Sequence, residues 1–173
     1  LHDKYGITEA DFMSAELSMV PAFKAQDVGF DRALLGSYGH DDRVCAYPAW
    51  KACLDETSDR HTVMIVLADK EEIGSVGATG MHSRFFEDYV AELMALTEDG
   101  NPLKVRRALR NSYMLSSDVS AAFDPLYADA FEKKNTAYFG RGLVFNKFTG
   151  SRGKNGTSDA NAEYVAKVRN VFD

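Results

Sequence analysis

His61-Thr62-Val63-Met64-Ile65-Val66-Leu67-Ala68 is a continuous apolar run of strand length, rich in β-branched residues and flanked by charged turns. A run without polar alternation fits a strand covered on both faces, as in the parallel sheets of α/β proteins. It is followed at once by Asp69-Lys70-Glu71-Glu72-Ile73-Gly74-Ser75-Val76-Gly77-Ala78-Thr79-Gly80, a charged and glycine-rich turn. A helical pattern then runs from Ser83 through Leu96, with Phe86, Val90, Leu93 and Met94 as its apolar stripe.

Working outward, strand and helix signals alternate. Downstream, Val105 to Leu109 reads as a short helix, Asn111 to Leu115 as a second strand, Tyr138 to Phe148 as a third, and Ser158 to Val171 as a helix with Ala162, Val165, Val168 and Val171 on one side. Upstream, Arg43 to Leu54 reads as a helix provided that Pro48 sits in its first turn. Pro21 to Gly39 has no clear period and reads as loop, or short strand and loop. Thr8 to Met19 reads as a helix capped by Thr8 with Asp11 three positions on. The pattern predicts an α/β class: a mixed, largely parallel sheet flanked by helices, and incomplete.

The chain has 173 residues, 45% of them hydrophobic and 12% aromatic, enough for one core. Its net charge of −6 argues against nucleic acid as a partner, because a phosphate-tracking surface needs clustered positive charge. No apolar run approaches the roughly 20 residues of a membrane span, and the N-terminus lacks a signal pattern. Cys45 and Cys53 lie eight apart on one predicted helix, about 12 Å at its rise per residue, too far to bridge. Two reduced thiols, together with the missing leader, predict a cytoplasmic protein.

Three acidic clusters stand where an α/β fold lines its ligand crevice, just beyond the strand ends. They are Asp41-Asp42 after a glycine turn, Asp69-Glu71-Glu72 after the first strand, and Asp118 after the second. Each also has a plainer explanation: a solvated Glu-Glu pair, an N-cap for the helix near Arg43, and an Asx turn. Gathering so many like charges without a cation is costly, which points to metal. Two divalent ions roughly 3.5–4 Å apart need a bridging carboxylate, terminal ligands and a base for the attacking water. Glu71 and Glu72, adjacent in irregular backbone, suit a split role, one toward a metal and one toward water. A phosphate loop is the weaker alternative, since IGSVGATG matches neither dinucleotide nor P-loop spacing. Lys147, with Arg152 and Lys154, forms a basic stretch that is either a solvated loop or a partner for a substrate carboxylate.

GSYGHDDR (36–43), DKEEIGSVGATG (69–80), SSDVSAAFDP (116–125) and NKFTGSRGKNGTSDANAEYVAKVR (146–169), in this order and spacing, resemble the bacterial branch of the aspartyl aminopeptidase family of zinc exopeptidases. The resemblance implies a zinc-exopeptidase-like fold and removal of N-terminal residues from peptides with two zinc ions, cobalt or manganese being alternatives. It assigns Asp41 as the bridging ligand with Asp42 its neighbour, Glu71 as general base, Glu72 and Asp118 as metal ligands, and Lys147 as a substrate contact. It further implies a homo-oligomeric full-length protein, with residues 1–35 the end of an inserted dimerisation region and 36–173 the central part of the metallopeptidase domain.

Two departures follow. The family's His-x-Asp motif and its C-terminal histidine segment are both absent, and His2, His40, His61 and His82 lie in other contexts. Three carboxylates without an imidazole hold zinc weakly, so this segment is expected to be inactive alone. The competing expectation is a non-catalytic assembly module of a large peptidase particle.

Overall fold

The computed structural model describes residues 1–57, 60–97, 100–149 and 158–173. Its backbone divides into two units, Leu1–Arg43 and Val44–Asp173.

The first unit begins with two short helices, α1 (His2–Tyr5) and α2 (Glu9–Met13). Thr8 precedes α2 as expected, and the Asp11 carboxylate accepts hydrogen bonds from Thr8 N (2.7 Å) and Thr8 Oγ1 (2.8 Å). The helix stops at Met13 and does not reach Met19. The apolar groups beyond it have nothing to pack on, Leu17 being 72% exposed, and so short a helix is not self-sustaining in water. Strands β1 (Gln26–Val28) and β2 (Leu34–Gly36) form an antiparallel hairpin in which Asp27 faces Leu35.

Helix α3 (His40–Asp55) has non-helical backbone at Asp41 (φ −81°, ψ 111°) and Asp42 (φ −117°, ψ 30°), which are joined by a cis peptide bond. Its regular turns follow Asp42. Pro48 therefore lies inside the helix and not in the first turn as the sequence reading required; the helix tolerates it by giving up one backbone hydrogen bond. Cys45 and Cys53 are half-buried on α3 with no disulfide between them.

In the second unit, α4 (Phe85–Thr97) and α5 (Pro102–Arg110) pack on each other. Asn101 caps α5, its side chain accepting from Leu103 N at 2.8 Å with Pro102 in the first turn. Val105 of α5 is the one buried hydrophobic residue among those described. Helix α6 (Ala162–Phe172) is capped by Asn161, which accepts from Tyr164 N at 2.8 Å. It starts four residues later than its sequence pattern suggests, because Ser158–Asp159 forms β4 against β3 (Phe148–Thr149). Tyr113 stacks on Tyr164 of α6 with ring centroids 5.0 Å apart.

The expected parallel sheet is not formed among the described residues. Their pairing consists of the antiparallel ladders β1–β2 and β3–β4 and two isolated parallel bridges, Asp69 to Gly80 and Ala122 to Ala137. Residues 62–68 belong to no ladder, and Leu67 is 63% exposed. A strand meant to be covered on both faces needs neighbours to take up its backbone groups, and within these residues none is provided. Residues 112–121 and 142–146 likewise carry no ladder. Residues 150–157, with Arg152 and Lys154 of the basic stretch, lie outside the described residues.

Candidate metal and substrate site

The sequence from Asp69 to Gly80 closes into a small loop. Thr79 Oγ1 donates to the Asp69 carboxylate at 2.6 Å, and Asp69 and Gly80 form a parallel bridge. That hydrogen bond holds the Asp69 carboxyl below its ordinary value, opposed by desolvation and helped by smaller contributions from Lys70. Inside the loop, Glu71–Ile73 form a single 3₁₀ turn. Gly74 N donates to Glu71 O and Ser75 N to Lys70 O, each at 2.8 Å.

This turn needs unusual backbone. Lys70 (φ 61°) and Ser75 (φ 59°) are left-handed without being glycine, and Gly74 (φ 96°) and Gly77 (φ 85°) flank Ser75. Gly80 is required for a different reason: a Cβ there would overlap the carbonyl oxygen of Ser75 and lie 2.5 Å from that of Val76. The glycine spacing thus serves a tight turn that presents two carboxylates, rather than a phosphate cradle. A 3₁₀ turn has three residues, so successive side chains diverge by a third of a turn. Glu71 and Glu72, both exposed, leave the backbone in separate directions from one rigid base.

Asp118 sits on an extended, exposed stretch, and one carboxylate oxygen accepts from Val119 N at 2.7 Å. Lys147 precedes β3. Its Nζ donates to Asp159 of β4, and Ala160 N donates to Lys147 O at 2.9 Å, so side chain and main chain are both tied to the opposite arm of the hairpin. Asp159 as a partner for Lys147 escaped the sequence reading; the available signal was an acidic residue 12 positions on.

In the first unit, Asp41 and Asp42 follow Gly39, whose φ is 71°. Arg43 closes that turn, with its backbone N donating to Gly39 O and Nη1 to Tyr38 O, each at 3.4 Å. Asp41 is exposed. Asp42 is half-buried, and its Oδ1 is buried with no hydrogen-bond partner. Such an atom is unusual in a folded protein, and no sequence signal points to it. His2, His40, His61 and His82 stand at the start of α1, the start of α3, ahead of the extended run and in the turn after Gly80.

A family model described as "Aminopeptidase I zinc metalloprotease (M18)" matches residues 1–173. The chain belongs to this M18 family. It is 57% identical over 172 residues to the probable M18 family aminopeptidase 1 of Clostridium acetobutylicum, covering 99% of this chain and 37% of that protein. The namesake protein of Thermotoga maritima is 41% identical over 174 residues, with 100% of this chain and 38% of the relative covered. Two M18 crystal structures superpose on 99% of the chain. Aminopeptidase I from Clostridium acetobutylicum does so at TM-score 0.84 and 55% identity, over 37% of its own length. The M18 aminopeptidase from Thermotoga maritima does so at 0.89 and 42%, over 38%. The chain therefore spans little more than a third of the relatives it matches.

Zinc, which the M18 description names, fits the donors that these residues offer. Asp41 and Glu72 are exposed carboxylates with no hydrogen bond or ion pair among the described residues, and Asp118 keeps an oxygen beyond the one held by Val119. Carboxylate oxygens are among the ligands that zinc accepts, beside imidazole and thiolate. Among the described residues, no helix is long and apolar enough to cross a membrane.

Proposed function

We propose that the chain is the central part of a metallo-aminopeptidase that removes N-terminal residues from peptides by a two-metal hydrolysis. The observation that carries this reading is the 3₁₀ turn at Glu71–Ile73, which presents two adjacent carboxylates from a loop pinned by Asp69 and Thr79 in a chain matched throughout by the M18 family. Glu71 is the general base, accepting the proton of the attacking water and returning it to the departing amine. Asp41, Glu72 and Asp118 would hold the ions, Asp41 as the ligand they share and Glu72 and Asp118 as terminal ligands. When bound, the ions polarise the scissile carbonyl and lower the pKa of water. Lys147 contacts substrate.

The donor set of this segment contains no imidazole, so on this reading it holds metal weakly and is inactive alone. Residues 1–35 end an inserted dimerisation region and 36–173 belong to the peptidase domain of a homo-oligomeric, cytoplasmic enzyme. Zinc is the working metal of this proposal, with cobalt and manganese as substitutes. Glu71→Gln in the full-length enzyme tests it: kcat should fall by at least about 100-fold with melting temperature and zinc content unchanged. Retained turnover would remove Glu71 from the role.

A second reading, a non-catalytic assembly module, is favoured by the apolar surface. Phe85, Tyr89, Leu93 and Leu96 follow one another along α4 at helical spacing and are all exposed. A full-length enzyme in which Glu71→Gln and wild type are equally inactive would select it.

A further inference from the structure

Lys147 and Asp159 lie at the same end of the β3–β4 ladder, with Asp159 in register with Phe148, the residue after Lys147. The pairing is doubly fixed. Lys147 Nζ donates to Asp159 Oδ1, and the Lys147 carbonyl accepts from Ala160 N at 2.9 Å. Both side chains remain half exposed or more, at 52% and 65%. A pair this exposed adds little to stability. It does, however, decide what an approaching ligand meets: a neutralised cation with a carboxylate beside it.

We propose that Asp159 is a specificity-determining residue, setting the enzyme against acidic substrate side chains and toward neutral ones by occupying Lys147. The inference rests on the reading of Lys147 as a substrate contact. An acidic side chain reaching Lys147 has to displace the Asp159 carboxylate and then lie close to it, a like-charge contact of the kind that excludes wrong partners. A neutral side chain packs along the lysine stem and leaves the pair intact. Position in the chain separates this role from a purely structural one. The ladder hydrogen bonds and the Ala160 to Lys147 bond are made by backbone, so the hairpin does not depend on the carboxylate.

The test uses the full-length enzyme and a panel of aminoacyl p-nitroanilides, leucyl, methionyl, aspartyl and glutamyl, read as the ratio of kcat/KM for acidic over neutral substrates. Asp159→Asn keeps the size and the acceptor oxygen and releases the lysine charge. It should raise the ratio by about tenfold or more through KM for the acidic members, with zinc content unchanged. Adding Lys147→Met to that variant should abolish the gain, and Lys147→Met alone should lower the ratio below wild type. An unchanged ratio in Asp159→Asn would overturn the proposal. Should Asp159→Asn fail to fold, Lys147→Met decides alone, and an unchanged ratio there overturns it as well. Failure of the peptidase reading looks different: the wild-type enzyme releases no member of the panel, and both proposals fall together.

Discussion

Thr79 Oγ1 donates a 2.6 Å hydrogen bond to the carboxylate of Asp69, ten residues earlier, closing the loop that carries Glu71 and Glu72. One side-chain contact and one backbone bridge, Asp69 to Gly80, hold the mouth of that loop. The two glutamates sit between these fixed ends on a turn with left-handed residues before and after it. Precision at a reacting centre requires such second contacts, because small displacements of a base cost large factors in rate.

Removing the hydroxyl should therefore loosen the loop without emptying it. Thr79→Val keeps the shape of the side chain and deletes the donor, whereas Thr79→Ser keeps the donor. In the full-length enzyme, Thr79→Val is expected to speed amide exchange across residues 70–78 and to lower kcat roughly tenfold, with Thr79→Ser close to wild type. Equal exchange in all three proteins would show that the backbone alone holds the loop.

The same bond fixes a pH dependence. The hydrogen bond from Thr79 favours the charged form of Asp69, so its carboxyl titrates below the ordinary 3.8 in the folded state. A group whose folded pKa is depressed contributes stability above its unfolded pKa and loses it as pH falls through the folded value. Loop closure should thus be complete at neutral pH, persist through 3.8, and fail only below it. Thr79→Val should move the Asp69 midpoint, followed by carboxyl-carbon NMR, up toward the ordinary value. A midpoint indifferent to Thr79 would mean that the neighbouring Lys70 sets it.

Gly80→Ala tests the packing of the loop on itself. Gly80 is buried, and an added Cβ would overlap backbone oxygens of Ser75 and Val76, which cannot rotate away as a side chain could. The expected cost is about 1–3 kcal/mol, as for other overpacked sites. Gly77→Ala is the comparison, since its Cβ would enter open space and meet only the penalty of φ 85°, roughly 1 kcal/mol. A denaturant midpoint lower for Gly80→Ala than for Gly77→Ala supports the reading, and the reverse order contradicts it.

Local signals were legible in the sequence and nonlocal ones were not. The Thr8–Asp11 contact, the helices now seen as α4 and α5, and the turn at Glu71–Glu72 are each determined by residues within a few positions of one another, and each was expected. The Lys147–Asp159 pair and the shift of Ser158–Asp159 from helix to strand depend on pairing with Phe148–Thr149, which periodicity does not register. The sheet expected around His61–Ala68 is the sharpest divergence. Its apolar character specifies burial on both faces but not the strands that supply it, and Val63, Met64, Val66 and Leu67 are all exposed among these residues. Asp41, by contrast, was placed at a turn by the glycine pattern, while the buried, unpartnered oxygen of its neighbour Asp42 could be found only in three dimensions.

Zinc retention by the 173-residue chain alone is the sharpest test of the donor set. The carboxylates proposed as ligands offer no imidazole, and zinc affinity falls with each missing ligand and with the loss of softer nitrogen donors. After dialysis against micromolar zinc, the isolated chain is expected to retain well under one ion and to release no N-terminal residue from an aminoacyl panel, while the full-length enzyme does both. The exposed stripe of Phe85, Tyr89, Leu93 and Leu96 on α4 should in the same sample drive concentration-dependent self-association, visible by light scattering and relieved by Leu93→Lys with Leu96→Lys. Two zinc ions per isolated chain with turnover would require histidines or other groups of this segment to complete the site, and would transfer the search for ligands to His40 and His82.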